Sequence, residues 1–392
     1  MVRSYFLAAV AAAFAISASG GAFAQEPFKI GFILPMTGQQ QSTGKQESAG
    51  AKLYMAQHGD VVAGRKIELI IKDDGAVPDN TKRIAQELIV NDKVSVLAGF
   101  GVTPAALAVA PLATEAKIPE IVTAAGTSII TERSPYIART SFTLAQSTVP
   151  MADWAAANGI KKVVTMISDY APGVDAEKSF KAEFTAKGGD IIDSIRFPLA
   201  NPDFAPFLQK AADEKPDAIF VFVPSGQGGT FVKQFVEKGL DKDGIKIIGP
   251  GDVMDDDLIN GMGDVVLGTV TAHMYSADHN SAANKAFVEA FKKANNGMRP
   301  NFMAVGAYDG MHLIYAALQK TGGKSDGDSL INAMKGMSWE SVRGQISIDP
   351  ETRDIVQNIY IRKVEKKNGE LYNVEFATFK DVKDPVKAAE KK

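Results

Sequence analysis

From Phe28 onward, short apolar runs alternate with amphipathic stretches: FKIGFIL then GKQESAGAKLYMAQ, KIELIIKDD then DNTKRIAQELIVND, VSVLAGF then TPAALAVAPLATEA, and finally IPEIVTA. Runs of strand length followed by stretches of helical period predict repeated βα units and a mostly parallel sheet. VSVLA and IPEIV are near-continuously apolar, as strands covered on both faces are. After a break at YIARTSFTLAQ the rhythm restarts with KKVVTMISD, VDAEKSFKAEFTAKGG, DIIDSIRF, FAPFLQKAADEK, DAIFVFVPS, GGTFVKQFVEKG and IKIIGPGD. The tail changes character: NKAFVEAFKKANN, FMAVGAYDGMHLIYAALQK and DSLINAMKGM predict helices, and IVQNIYIRKVEKKNG predicts a strand. Helices that follow a finished lobe need a sheet to cover. The chain is therefore expected to cross back near TAHMYSADHN and again near QISIDP, which with YIARTSFT makes three crossings.

The expected architecture is α/β: two doubly wound parallel-sheet lobes joined by a three-strand hinge. Residues 25–142 plus 275–345 form the first lobe, 143–274 plus 346–385 the second, and 386–392 a polar tail. Ligands of open α/β sheets bind beyond the carboxyl ends of the strands. Two such edges facing each other across a hinge enclose one cleft, which closure can bury.

Composition narrows the setting. The 392 residues are 45% hydrophobic and 23% charged, ordinary for a globular chain with room for two cores. Arg3, the apolar run Phe6 to Ala18 and the small-residue exit Ala22, Phe23, Ala24 have the form of a cleavable secretory signal, with cleavage expected after Ala24. The apolar run is shorter than a membrane span requires, so no membrane insertion of the mature chain is expected. Without the leader, 42 basic side chains stand against 46 acidic ones, which disfavours nucleic acid or an anionic membrane surface as a partner. There is no cysteine, so disulfides, thiolate nucleophiles, zinc fingers, iron–sulfur clusters and lipid attachment at an N-terminal Cys are excluded. An exported chain with neither staples nor a lipid anchor is expected in the periplasm.

Candidate chemistry centres on GFGVTPAALAVA, Gly99 to Ala110, a glycine turn between a predicted strand and a predicted helix. It lacks the third Gly of a dinucleotide fingerprint and the Lys of a phosphate loop, and SGQGGTF at Ser225 to Phe231 also lacks the Lys. With Pro104 read as the first helical residue, Thr103 becomes the N-cap. Its hydroxyl and the free N–H groups beside it could hold a carboxylate, or Thr103 could simply cap its own helix; the local sequence leaves both open. TAAGTS, Thr123 to Ser128, leaves the next strand at the same edge, and its small residues allow close backbone approach. Enzyme patterns are poor: the four histidines show no metal-ligand spacing, and GxSxG and HExxH are absent. Asp255 to Asp257 are expected as the charged first turn of a helix. No cofactor and no metal are expected.

In order and spacing, IGFILPMTG, STGKQESAGAKL, IKDDGAVPDNTKRIAQELI, LAGFGVTPAALAVAPLATEAKIPEIV, ISDYAPGVDAEKSF, GGTFVKQFVEKGL with IIGPGD, and VGAYDGMHLIYAAL resemble the periplasmic solute-binding proteins of the Leu/Ile/Val-binding type that serve ABC transporters. That resemblance implies a ligand carboxylate held by Thr103 and assisted by Ala124, Gly126 and Thr127. It implies an aromatic contribution from Tyr170, in a turn where Pro172 replaces a frequent second aromatic, and a cleft position for Tyr308. Amino-acid binders of the family place an ammonium-binding Glu where this chain has Gly251, with Asp252 one residue on. Where an aromatic often covers the side chain, this chain has Gln39 to Thr43, of which Gln41 is assigned to the cleft. The implied function is uptake of a branched-chain or other amino acid through an inner-membrane ABC permease. Aromatic or short aliphatic carboxylic acids are the alternative ligands, and an extracytoplasmic sensor or an exported α/β enzyme stands behind both.

Overall fold

The computed structural model describes residues 26–390; the leader expected at 1–24 lies outside them. The first sheet is built from β1 (Phe28–Leu34), β2 (Val61–Val62), β3 (Arg65–Asp73), β4 (Val96–Gly99), β5 (Glu120–Val122) and β6 (Ile137–Arg139), interleaved with α1 (Gln41–His58), α2 (Pro78–Val90) and α3 (Thr103–Ala116). Its strand order is β2-β3-β1-β4-β5-β6, and every neighbouring pair is parallel except β2 with β3. Each residue of β4 and β5 is buried, because helices cover both faces of this sheet.

Past β6 the chain enters α4 (Leu144–Ala157), whose start is fixed by a capping box between Thr143 and Gln146. There follow β7 (Lys162–Ser168), α5 (Ala171–Ala186), β8 (Asp190–Phe197), α6 (Ala205–Asp213), β9 (Ala218–Phe222), α7 (Gly228–Glu237), β10 (Lys246–Pro250) and β11 (Val270–His273). The strands from β7 to β11 pair in parallel in the order β11-β10-β9-β7-β8. The molecule is thus a two-lobed α/β protein. Next come α8 (Ala282–Ala294), α9 (Phe302–Lys320) and α10 (Gly327–Met334), and α9 lies along α1 on the first lobe.

The C-terminal part is richer in strands than its sequence pattern suggests. It holds β12 (Ser338–Ser341), β13 (Gly344–Ile348), β14 (Ile355–Lys367) and β15 (Glu370–Val382), all antiparallel and joined to the second sheet through β14 beside β11. The second sheet is therefore mixed. β15 is an edge strand in which only Leu371 and Asn373 are fully buried, and Asn368 and Gly369, with φ of 52° and 86°, form the tight turn that folds it back on β14. Ile346 and Ile348 pack in the first lobe's core while their backbone pairs with the second lobe's sheet, so this segment ties both lobes. Residues 386–390, expected in a polar tail, belong to α11 (Pro385–Glu390). There the buried Lys387 ammonium lies 2.5 Å from Asp354 and donates to Thr131, anchoring the helix.

Candidate ligand-binding cleft

The end of β4 is forced into an unusual path. Gly99 has φ of 106°, where a Cβ would stand 2.5 Å from the carbonyl of Ile33, and the buried Phe100 follows with φ of 70°. These two left-handed residues turn Gly101 and Val102 across the cleft before α3 begins. The N-cap is Val102, not Thr103 as expected: Pro104 fits the second helical position as well as the first, and Thr103 enters the helix. The Thr103 hydroxyl is thus not spent on its own helix. It shares a 2.8 Å hydrogen bond with the Thr127 hydroxyl, which joins the two turns. Within the first helical turn Pro104 has no N–H, and Ala105 and Ala106 N–H donate to Val102 O at 3.1 and 3.3 Å, so the turn offers the cleft the Thr103 N–H and the positive end of the helix dipole.

The second turn is held from behind. Thr123 N–H donates to Gly99 O at 3.0 Å, and Ala125 N–H donates to Phe100 O at 3.1 Å. The buried Arg139 guanidinium donates to the carbonyls of Ala125, Thr127 and Phe142 and pairs with Asp354 at 2.9 Å. The Thr123 hydroxyl donates to Glu47 of α1 at 2.5 Å. Burial pushes the Glu47 carboxyl up to about 8, against the lowering effect of that hydrogen bond, so it is a neutral prop under the cradle at pH 7.

The second lobe faces this cradle with rings and one acid. Tyr170, extended at the start of α5, stacks on Phe222 with centroids 6.1 Å apart. Its hydroxyl is pushed up by burial first and by Asp252 second, so it stays a neutral phenol. Asp252 follows β10, and burial raises its carboxyl to about 7 although Arg362 works in the other direction. Gly251 has no room for a side chain: a Cβ there would lie 2.0 Å from Arg362 Nη2 and 2.4 Å from His273 Cδ2. The cavity between the walls is narrow, about 30 Å³ in the closed molecule, and is completed by Gln40 at the N-cap of α1 and Thr43 within it, Phe142 and Leu144 of the first crossing, Ser225 after β9, and Met303 of α9.

Of the residues expected here, Thr103, Ala124, Gly126, Tyr170 and Asp252 line the cavity, and Thr127 stands behind Thr103. Two others lie elsewhere. Gln41 points outward and accepts from Lys45 at 3.1 Å; one residue along a helix is a rotation of about 100°, so Gln40 and Thr43 take the inner positions. Tyr308 packs against Tyr54 and Phe287 and donates to Gln57 at 2.7 Å, beside the far end of α1. It is Met303, at the start of α9, that reaches the cleft. Asp255 to Asp257 do not open a helix: all are buried or nearly so, each on a different partner. Asp255 accepts from Ser225 at 2.6 Å, Asp256 from Asn373 at 3.1 Å, and Asp257 from Asn301 at 3.0 Å. A short acidic run reads as solvated because its partners lie 30 to more than 100 residues away.

Hydrogen bonds also span the mouth. Gln39 Nε2 donates to Asn201 at 2.6 Å, the Ser42 hydroxyl to Asp257 at 3.2 Å, and Ser128 N–H to Asp175 at 3.1 Å. The lobes are thus closed on one another, with two small-residue turns and a helix start on one wall and aromatic rings on the other. That combination defines a solute-binding protein that takes up its ligand by hinge closure. The chain belongs to the periplasmic binding protein family, whose model matches residues 27–370.

The Leu/Ile/Val-binding protein homolog 6 of Brucella melitensis biotype 1 is 44% identical over 378 residues, covering 95% of this chain and 96% of that protein. Among solved structures, a solute-binding protein of an ABC transporter from Rhodopseudomonas palustris BisB5, in complex with 3,4-dihydroxybenzoic acid, is 73% identical with a TM-score of 0.91, covering 92% of this chain and 99% of that one. Another from Rhodopseudomonas palustris HaA2, in complex with p-hydroxybenzoic acid, is 44% identical with a TM-score of 0.90, covering 93% and 100%. Solute-binding proteins of this kind hold small molecules and work with a membrane permease. Among the described residues no helix is long and apolar enough to cross a membrane.

Proposed function

We propose that this chain binds a hydroxylated benzoate in the interlobe cleft and delivers it to an inner-membrane ABC permease, acting by capture and release without covalent chemistry. In this reading it is exported by cleavage after Ala24 and works in the periplasm. The carboxylate rests on the N–H groups and hydroxyl around Thr103 and on the turn at Ala124 and Gly126. The ring lies among Tyr170, Phe222 and Phe142.

The observation that carries the reading is the wall at Gly251 and Asp252. An α-amino acid brings an ammonium group that needs a charged carboxylate beside it. The contacts of Arg362 and His273 forbid any side chain at Gly251, and the one acid lining the cavity, Asp252, is half neutral at pH 7 and lies in the field of Arg362. An aromatic acid makes no such demand, and the bound aromatic acid of the 73% identical structure supports it.

The test is to purify the protein without denaturation, identify by mass spectrometry what it carries, and screen hydroxybenzoates, benzoate, leucine and valine by thermal shift. Saturable stabilisation by a hydroxybenzoate is expected. Stabilisation by leucine or valine with none by any benzoate would return the ligand to the amino-acid class.

A further inference from the structure

Two buried atoms at the second-lobe wall stand unpaired and complementary. Asp252 Oδ2 has no hydrogen-bond partner, nor does His273 Nε2, and they lie 3.7 Å apart, too far for a good bond. The tautomer of His273 is set by its other nitrogen, since Nδ1 accepts from the Met274 N–H at 2.8 Å. A neutral ring then carries its proton on Nε2, and burial, Arg362 and Arg343 all hold the ring neutral. The imidazole cannot swing away. It is packed on Phe302 with centroids 4.0 Å apart and on Phe142 at 4.7 Å, and Phe142 itself lines the cavity.

Buried polar atoms in folded proteins are nearly always paired. Here a fixed donor and a carboxyl oxygen face one another across a gap, on a wall that Asp252 shares with the ligand. A hydroxyl group can accept from the one and donate to the other at once. An ammonium group can serve only the carboxyl, and a bare ring edge serves neither. Resting on the reading of the ligand as a benzoate, we propose that the Asp252 carboxyl and the His273 Nε2–H together read a ring hydroxyl and make the protein specific for hydroxylated over unsubstituted benzoates. The bare Gly251 is part of the device, because a Cβ there would displace the edge of His273 that faces Asp252.

The experiment is a calorimetric titration of benzoate, 3-hydroxybenzoate, 4-hydroxybenzoate and 3,4-dihydroxybenzoate into wild type, Asp252→Ala, Asp252→Leu and His273→Phe. The leucine variant fills the volume of the acid, and the phenylalanine variant keeps the stacking, so a folded comparison exists if truncation unfolds the chain. Wild type is expected to favour at least one hydroxylated acid over benzoate by about tenfold or more. In the variants that ratio falls toward one, a change that a purely structural role would not produce. If benzoates bind but wild type does not discriminate, or if the variants weaken benzoate and hydroxybenzoates by the same factor, the hydroxyl reader is wrong while the ligand class stands. If no benzoate binds and an amino acid does, the ligand class fails and this inference with it.

Discussion

Thr103 gains its place from its neighbours: two left-handed residues before it, a proline after it, and Thr127 2.8 Å from its hydroxyl. Removing that hydroxyl takes a donor from the carboxylate and leaves Thr127 short of a partner. Thr103→Ala is expected to weaken binding about 10- to 100-fold, whereas Thr103→Ser stays close to wild type; equal affinities for the alanine and serine variants would place the carboxylate elsewhere. At Gly251 the prediction concerns stability. Arg362 is fixed by Tyr275 O, Thr271 and Asp256, so it cannot make way for a methyl group. Gly251→Ala should cost about 1–3 kcal/mol in urea denaturation, and an unchanged midpoint would mean that the Arg362 cluster yields. That both turns reach the cavity was legible in the sequence because each follows an apolar strand at the carboxyl edge of the sheet, whereas the local residues alone left Thr103 open between a helix cap and a ligand contact. Gln41 and Tyr308 were misplaced for a different reason: the resemblance fixes an element, but which side of a helix faces the ligand depends on the helix's rotation and on how α9 lies along α1.

At the scale of elements, apolar runs announced the parallel strands of both lobes, since burial on two faces leaves a continuous signal in the residues themselves. Of the last hairpin β14 was legible and β15 was not, because only Leu371 and Asn373 of β15 are fully buried, and α11 was hidden because the side chain that anchors it is a lysine. The contact between α1 and the turn after β5 gives a pH test. Glu47 titrates at about 8 in the folded protein against 4.5 for an ordinary glutamate. Between those values the folded chain holds a proton that the unfolded chain has released, so stability falls as pH rises through that window. Glu47→Gln removes this dependence. The difference in unfolding free energy between variant and wild type should grow in the variant's favour from pH 4.5 to pH 8, by up to about 5 kcal/mol. Parallel pH profiles in urea titrations would show that Glu47 is not a buried neutral acid.

For the whole molecule, affinity includes the free energy of closure, and contacts far from the ligand contribute to it. Asp257 accepts from Ser42 and Asn301 across the mouth of the cleft without lining the cavity. Asp257→Ala is expected to speed ligand release about 3- to 10-fold, with association nearly unchanged in stopped-flow traces; a change confined to association would argue against a closing contact. None of these bridges was visible in the sequence, because each joins segments that meet only when the lobes close. The central claim, a benzoate-type acid in a cleft that lacks an ammonium site, is tested most directly by calorimetric titration of ligand-free protein with 3,4-dihydroxybenzoate and leucine side by side. The cleft described here predicts saturable one-to-one binding of the aromatic acid and no heat from leucine. Saturable binding of leucine with none of the aromatic acid would contradict it.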